Sequence, residues 1–305
     1  MSVVKSYSVG NGDMFYIRHN SDNFTMIDCD LSDENADEII SDIKAAKAGK
    51  GIERFICTHP DEDHFGGLHL LDDAISIVNF YVVKNQAIKD EDTDSFKRYC
   101  EIRDDAKKAF YIFKGCSRRW MNRSDEERQA SGIHILWPDT SNDHFQQALA
   151  ACDAGESYNN TSAVIRYSIE GGASFLWLGD LETQFMKDIT DAIELKKTTI
   201  VFASHHGRDS GKIPDAWLEK LDPQIIVIGE APSRHLNYYT GYSTVTQNKA
   251  GHITMECVDD KVHFYVSNHN YSNPVLNDED RAESGDLKYV GSITVETEYT
   301  LQAGP

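Results

Sequence analysis

The chain has 305 residues, 40% of them apolar, and a formal net charge of −20. That length can bury a substantial core and would permit two domains at the ~150 residues typical of one, while the charge argues against a protein that coats nucleic acid through a general positive field. It has no basic start followed by a short apolar run and no apolar stretch of about 18 residues, so neither a signal peptide nor a membrane span is expected and the chain reads as cytoplasmic.

Six cysteines (Cys29, Cys57, Cys100, Cys116, Cys152, Cys257) are scattered without CxxC pairs. They read as reduced thiols that behave as small hydrophobes. The opening Val3 to Val9 predicts a strand, Gly10-Asn11-Gly12-Asp13 a turn, and Met14 to Arg18 and Asn23 to Asp28 two further strands in hairpin order. Ser32 is expected to cap a helix over Asp33 to Lys47, whose acids lie in its first turns. Arg54 to Thr58 is a buried strand that delivers a His/Asp cluster at its end. A short helix starts at Leu68, and Ile75 to Val83 holds one or two apolar strands.

From about 90 to 132 the pattern turns polar, with Phe96, Tyr99, Ile102 and Phe110 near a 3.6-residue spacing, which predicts a helical insertion. Strand character resumes at Ile133 to Pro138, and a helix follows over Asp143 to Asp153. Ser162 to Ser168 and Ala173 to Leu178 form a hairpin around Gly171-Gly172. A helix from Glu182 to Leu195 precedes the buried strand Thr199 to Ala203. The helix Asp215 to Leu221 and the strands Gln224 to Ile228, Gly251 to Cys257 and Lys261 to Val266 complete the body. An extension over about 267–305 carries a possible edge strand, Ser292 to Tyr299. Alternating strands and helices with hairpins mixed in favour one domain over 1–305, an α/β fold in four αββα layers rather than a purely parallel sheet.

The densest chemical signal is His59-x-Asp61-x-Asp63-His64, four potential metal ligands in six residues directly after a buried strand. Imidazoles and carboxylates together suit zinc, manganese or iron, and alternate residues of an extended turn can converge on one or two ions. Other strand ends use the same vocabulary: Asp28, Asp180, and His205 with His206. A polar loop whose acids merely cap the next helix would not account for four strands ending this way.

With Asp28, the His59 to His64 run, Gly179-Asp180 and Ser204-His205-His206-Gly207 in this order, the sequence resembles the metallo-β-lactamase superfamily. Asp61 stands where most relatives have histidine. That variant, with Val9 to Asp13 and Asn159-Asn160-Thr161-Ser162, is similar to the branch typified by the hydrolase domain of the DNA-uptake competence protein ComEC, over about residues 3 to 266. The resemblance implies an αββα sandwich with its metal site on the open edge between the sheets. It also implies two divalent ions, zinc or manganese, with His59, Asp61, Asp63, His64, Asp180 and His205 or His206 as ligands. The superfamily's histidine shortly before the Ser162 strand falls near Tyr158-Asn159-Asn160 and is missing or replaced by an amide.

The expected chemistry is attack by a metal-bridged hydroxide, with Asp63, His206 and Asn160 as catalytic candidates. Asn159, Asn160, His206, Arg208 and Ser210 are candidates for holding a phosphodiester, and Asp28 and Asp13 for support. Asp61 hardens the site toward manganese, and a nucleic acid phosphodiester is the first substrate expectation. A small diester of cyclic nucleotide or phosphocholine type suits the acidic charge better. From another class comes a partner-regulated or inactive metal-binding module, for which bacterial defence is one setting. The 90–132 insertion is the place for a regulatory protein partner, or for a single strand stacked on Tyr111, Phe113 and Trp120 beside Arg118, Arg119 and Arg123.

Overall fold

A computed structural model describes residues 1–232, 237–296 and 299. Two mixed sheets face one another. The larger has nine strands in the spatial order Lys288–Thr294, Lys261–Val266, Ile253–Val258, Ser2–Ser6, Phe15–Arg18, Asn23–Ile27, Ile52–Cys57, Phe80–Val82 and Ala109–Tyr111. The smaller has six: Thr244–Thr246, Ile225–Ile228, Ile200–Phe202, Ser174–Trp177, Val164–Ser168 and Ile133–Trp137.

Side chains alternate across each strand, so one strand feeds two cores. Phe15, Ile17, Ile27 and Ile56 point into the space between the sheets, where they meet Phe175, Trp177, Ile200 and Phe202. Tyr16, Phe24, Met26, Phe55 and Cys57 point to the outer face and are covered by Ile39, Ile40 and Ile43 of helix Ala36–Ala46 and by Leu68 and Leu71 of helix Leu68–Ile75. On the far side, Phe185, Met186, Trp217, Leu218 and Leu221 pack helices Thr183–Asp188 and Asp215–Leu221 against the smaller sheet. The four layers expected from the sequence are therefore present.

Several elements differ from the sequence reading. Ser32 does not cap its helix through its side chain: the N-cap is Asn35, and it is the Ser32 carbonyl that accepts the first backbone N–H groups. The helix after Asp180 stops at Asp188 instead of Leu195, because the Ile189 to Leu195 stretch turns to seat Ile189 and Ile193 in the core. The segment 90–132 is only partly helical. Helix Asp94–Asp104 lies against the outer face, but Ala109–Tyr111 pairs in parallel with Phe80–Val82 as the edge of the nine-stranded sheet. In the C-terminal extension the edge strand is Lys288–Thr294, paired antiparallel with Lys261–Val266. Residues 297 and 298 of the expected strand lie outside the described residues.

Strands Asn23–Ile27 and Ile52–Cys57 are parallel neighbours, as are Ser174–Trp177, Ile200–Phe202 and Ile225–Ile228. Loops leaving their C-terminal ends emerge on one edge of each sheet, the usual place for a site in α/β proteins. This brings the chemistry-bearing loops together. No helix among the described residues is long and apolar enough to cross a membrane.

Candidate metal centre

Ligand atoms of Asp13, His64, Asp180 and His206, all on this edge, lie within 4.8 Å of one another. His64 comes from the loop after Ile52–Cys57, in the short helix Glu62–Phe65, and Asp180 and His206 follow two strands of the opposite sheet. His64 Nε2 approaches Asp180 Oδ1 to 3.1 Å without making a hydrogen bond. His206 Nε2 lies 3.5 Å from Asp180 Oδ2 and 3.4 Å from Asp63 Oδ2. His59 Nε2, His64 Nε2, Asp180 Oδ1 and His206 Nε2 are all buried and have no hydrogen-bond partner. Buried polar atoms are nearly always satisfied, so unsatisfied ones on three residues of the cluster, with a fourth on His59 whose ring centroid lies 4.1 Å from that of His64, require an explanation. A divalent cation supplies it, since two or three imidazoles and a carboxylate are a fitting donor set.

The surrounding residues aim these donors. Asp28, buried and at φ +56°, accepts the Thr58 backbone N–H at 2.7 Å, the Thr58 hydroxyl at 2.7 Å and His64 Nδ1–H at 2.9 Å. Holding the proton on Nδ1 leaves the Nε2 lone pair of His64 directed inward. Asp13 does the same for His206, with Oδ1 3.1 Å from Nδ1. Asp180 is positioned through its backbone N–H, which donates to Ser162 Oγ at 3.0 Å. The Ser204 hydroxyl ties the two ligand loops of the smaller sheet together by donating to the carbonyls of Gly179 and Leu181.

Electrostatics follow from this crowding. Burial works against a charged His64, but in the metal-free chain the Asp180 and Asp28 carboxylates outweigh it and raise its pKa well above the ordinary range, so a cation would bind Nε2 by displacing a proton. His206 is likewise raised despite burial, by Asp180 and Asp13. Burial would raise Asp180, yet His64 and His206 hold it well below the usual carboxylate range. His59 is lowered to about 4 by burial and by its neighbour His64, which leaves it neutral. Asp63, although desolvated, is lowered to about 2 by His206 and His64.

The loops bring some sequence candidates together and place others elsewhere. His206 rather than His205 joins the cluster. His205 Nδ1 pairs with the Ser210 hydroxyl at 2.9 Å, its Nε2 lies 3.4 Å from an Arg208 nitrogen, and Nε2 stands 3.6 Å from Asp180 Oδ2. Both histidines take positive φ, 52° and 55°, and this consecutive left-handed turn splits their directions. Asp61 is held outside the cluster by Lys89, whose Nζ is 2.8 Å from Oδ1. The Asn160 amide is committed at both ends to Glu182: Nδ2 donates to Oε2 at 2.8 Å and Oδ1 accepts the Glu182 N–H at 3.1 Å. Asn159 offers its carbonyl to the Ser162 hydroxyl. The Asn159 to Ser162 motif thus braces the Asp180 loop. Arg208 and Ser210 stand at the rim beside His205.

Asp30 went unnoticed in the sequence. Its carboxylate abuts Gly12 and Gly66 so tightly that a Cβ at Gly12 would lie 2.1 Å from Oδ2, and burial with Asp63 nearby raises its pKa to about 6. The signal was a second acid at alternate spacing after Asp28.

Residues 7–110 match the family profile described as the metallo-beta-lactamase superfamily, a stretch that includes Asp13, Asp28 and the His59 to His64 run. The two mixed sheets with helices on their outer faces are consistent with that superfamily's sandwich. Among solved structures, the chain is similar to Igni18, a novel metallo hydrolase from the hyperthermophilic archaeon Ignicoccus hospitalis, at 14% identity and a TM-score of 0.46 over 83% of this chain and 99% of that one. It is similar to a mutant of the CmlA beta-hydroxylase at 12% identity and a TM-score of 0.47, over 83% of this chain and 53% of the other. A long form RNase Z from yeast follows at 10% identity and a TM-score of 0.36, over 80% and 40%. No curated protein matches the sequence. The matching profile is that of the superfamily as a whole and holds nothing particular to the competence-protein branch.

Proposed function

We propose that this metallo-beta-lactamase-fold protein is a metal-dependent hydrolase of phosphodiesters. The observation that carries the metal reading is the gathering of His64, Asp180 and His206 with Asp13, where His64, Asp180, His206 and the neighbouring His59 each keep a buried, unpartnered atom. A divalent ion bound there supplies Lewis acidity and lowers the pKa of water. The chain's own groups do the rest. Asp28 and Asp13 keep the Nδ1 protons of His64 and His206 in place, and Asp63, ionised and only partly buried beside His206, can orient water and accept a proton at a carboxylate oxygen. Arg208 and Ser210 at the rim offer donors to anionic substrate oxygens.

Nucleic acid is the first substrate, on the sequence resemblance to the competence-protein branch. A second reading, a small diester, is favoured by the fate of the basic zone in 90–132. Arg118 stacks 4.6 Å from the Phe110 ring centroid, Arg119 pairs with Asp125 at 2.9 Å, and Arg128 pairs with Asp22 at 2.7 Å, so these cations are engaged within the fold. The test is turnover of linear DNA, RNA, a cyclic nucleotide and a chromogenic diester, each with manganese or zinc. Cleavage that chelation and His64→Ala both abolish supports the proposal, and the preferred arm separates its two readings. A metal-loaded protein that cleaves no diester would overturn it in favour of a binding module.

A further inference from the structure

Asp61 sits in the middle of the metal-binding run, yet a cation of the chain already holds its carboxylate. Oδ1 takes the Lys89 ammonium at 2.8 Å and the Glu62 backbone N–H at 2.9 Å, the latter capping helix Glu62–Phe65. Lys89 is not a free surface lysine. Its side chain is 12% exposed, and its Nζ lies 3.9 Å from the centroid of the Tyr158 ring and 5.6 Å from that of Phe65. Tyr158 is fixed in turn, because its hydroxyl donates at 2.5 Å to the carbonyl of Ile88, the residue before the lysine. A carboxylate and an aromatic face together clamp the ammonium. Lys89, Glu62 and Tyr158 also line a cavity of about 420 Å³ beside the metal loop.

On the other side, Asp13, His64, Asp180 and His206 gather without Asp61. The unpartnered atoms belong to His59, His64, Asp180 and His206, and the His59 ring centroid lies 4.1 Å from that of His64. A dication placed on Asp61 would meet Nζ across one carboxylate, and like charges that close repel strongly where water is largely excluded. A tethered ammonium, unlike an ion, is never lost by dilution.

We propose that Lys89 serves as a fixed cation in the Asp61 half of the centre, so that the chain holds one divalent ion, among His59, His64, Asp180 and His206, instead of two. This rests on the metal reading above, and ion counting separates the two claims without any assay of activity. The purified full chain is equilibrated with excess manganese, desalted, and its metal content measured per chain, with electron paramagnetic resonance to detect a spin-coupled pair. The expected result is one uncoupled ion in the wild type, one in Asp61→Asn, and a second, coupled ion in Lys89→Met, with circular dichroism confirming that each variant is folded. Two ions in the wild type would overturn this inference alone. So would a Lys89→Met chain that stays at one ion, or an Asp61→Asn chain that loses its ion. No ion in the wild type would overturn the metal reading as well.

Discussion

Replacing Asp28 by Asn tests how the centre is aimed. The two side chains have nearly the same shape, and Asn tolerates the positive φ that Asp28 holds at 56°. The amide oxygen must stay on the Thr58 N–H, which can only donate. The NH₂ group then faces His64 Nδ1, where a carboxylate oxygen now accepts at 2.9 Å. Two donors cannot face each other, so His64 must carry its proton on Nε2 and loses the lone pair that points at the cluster. Loss of such an outer carboxylate ordinarily costs 10- to 100-fold in metal affinity, about 1.4–2.7 kcal/mol. The buried charge-assisted bond it removes adds roughly 1.5–3 kcal/mol of lost stability in the metal-free protein. Isothermal titration with manganese and denaturant unfolding without metal would measure the two terms. Unchanged affinity in a folded Asp28→Asn chain would refute the argument that Asp28 sets the tautomer of His64.

The adjacent histidines should separate cleanly. His206→Ala is expected to abolish measurable binding, while His205→Ala should weaken it by no more than about tenfold, because His205 reaches the centre only as an outer contact; equal losses in titration would contradict this. His19 lies at the opposite end of the molecule, and burial, then Arg54, lowers its pKa well below the ordinary 6.5. The unfolded chain takes up a proton below pH 6.5 that the folded chain refuses, so stability is intact above that pH and falls by about 1.4 kcal/mol per unit beneath it. Urea unfolding of the wild type and His19→Gln between pH 7 and 5 should show a shallower fall in the variant. Gly67 has φ +69°, and an added Cβ would stand 2.5 Å from Leu31 Cβ and 2.7 Å from the Leu31 carbonyl oxygen. Gly67→Ala should therefore cost roughly 2–5 kcal/mol from left-handed strain plus overpacking, and a loss of stability below about 1 kcal/mol would show that the backbone at Leu31 yields.

The sheets were legible because alternation is a property of neighbours in sequence: Phe15 and Ile17 against Tyr16 declare their faces before any partner is known. Helices Asp143–Asp153 and Asp215–Leu221 matched for a similar reason, since caps and apolar spacing are local. Ala109–Tyr111 was missed because a three-residue edge strand is defined by its partner Phe80–Val82 and not by its own pattern. The site divides the same way. His59, His64, Asp180 and His206 stood out as ligand types at strand ends, whereas the pairing of Asp61 with Lys89, the commitment of Asn160 to Glu182, and the direction of each histidine depend on contacts between distant segments. The left-handed turn at His205 and His206, which decides between them, leaves no mark in a His-His-Gly string.

The cluster draws Asp13 and His64 from one sheet and Asp180 and His206 from the other. An ion seated there is a rivet through both layers, and its whole binding energy counts toward keeping them shut. During synthesis the first half of the chain emerges with His59 and His64 but without the opposite wall. The complete set of ligands exists only after residue 206 has been added and the second sheet has closed over the first. The emerging chain therefore carries an incomplete centre until the sandwich is built, and a chelator applied to the finished protein should loosen both sheets in a single transition.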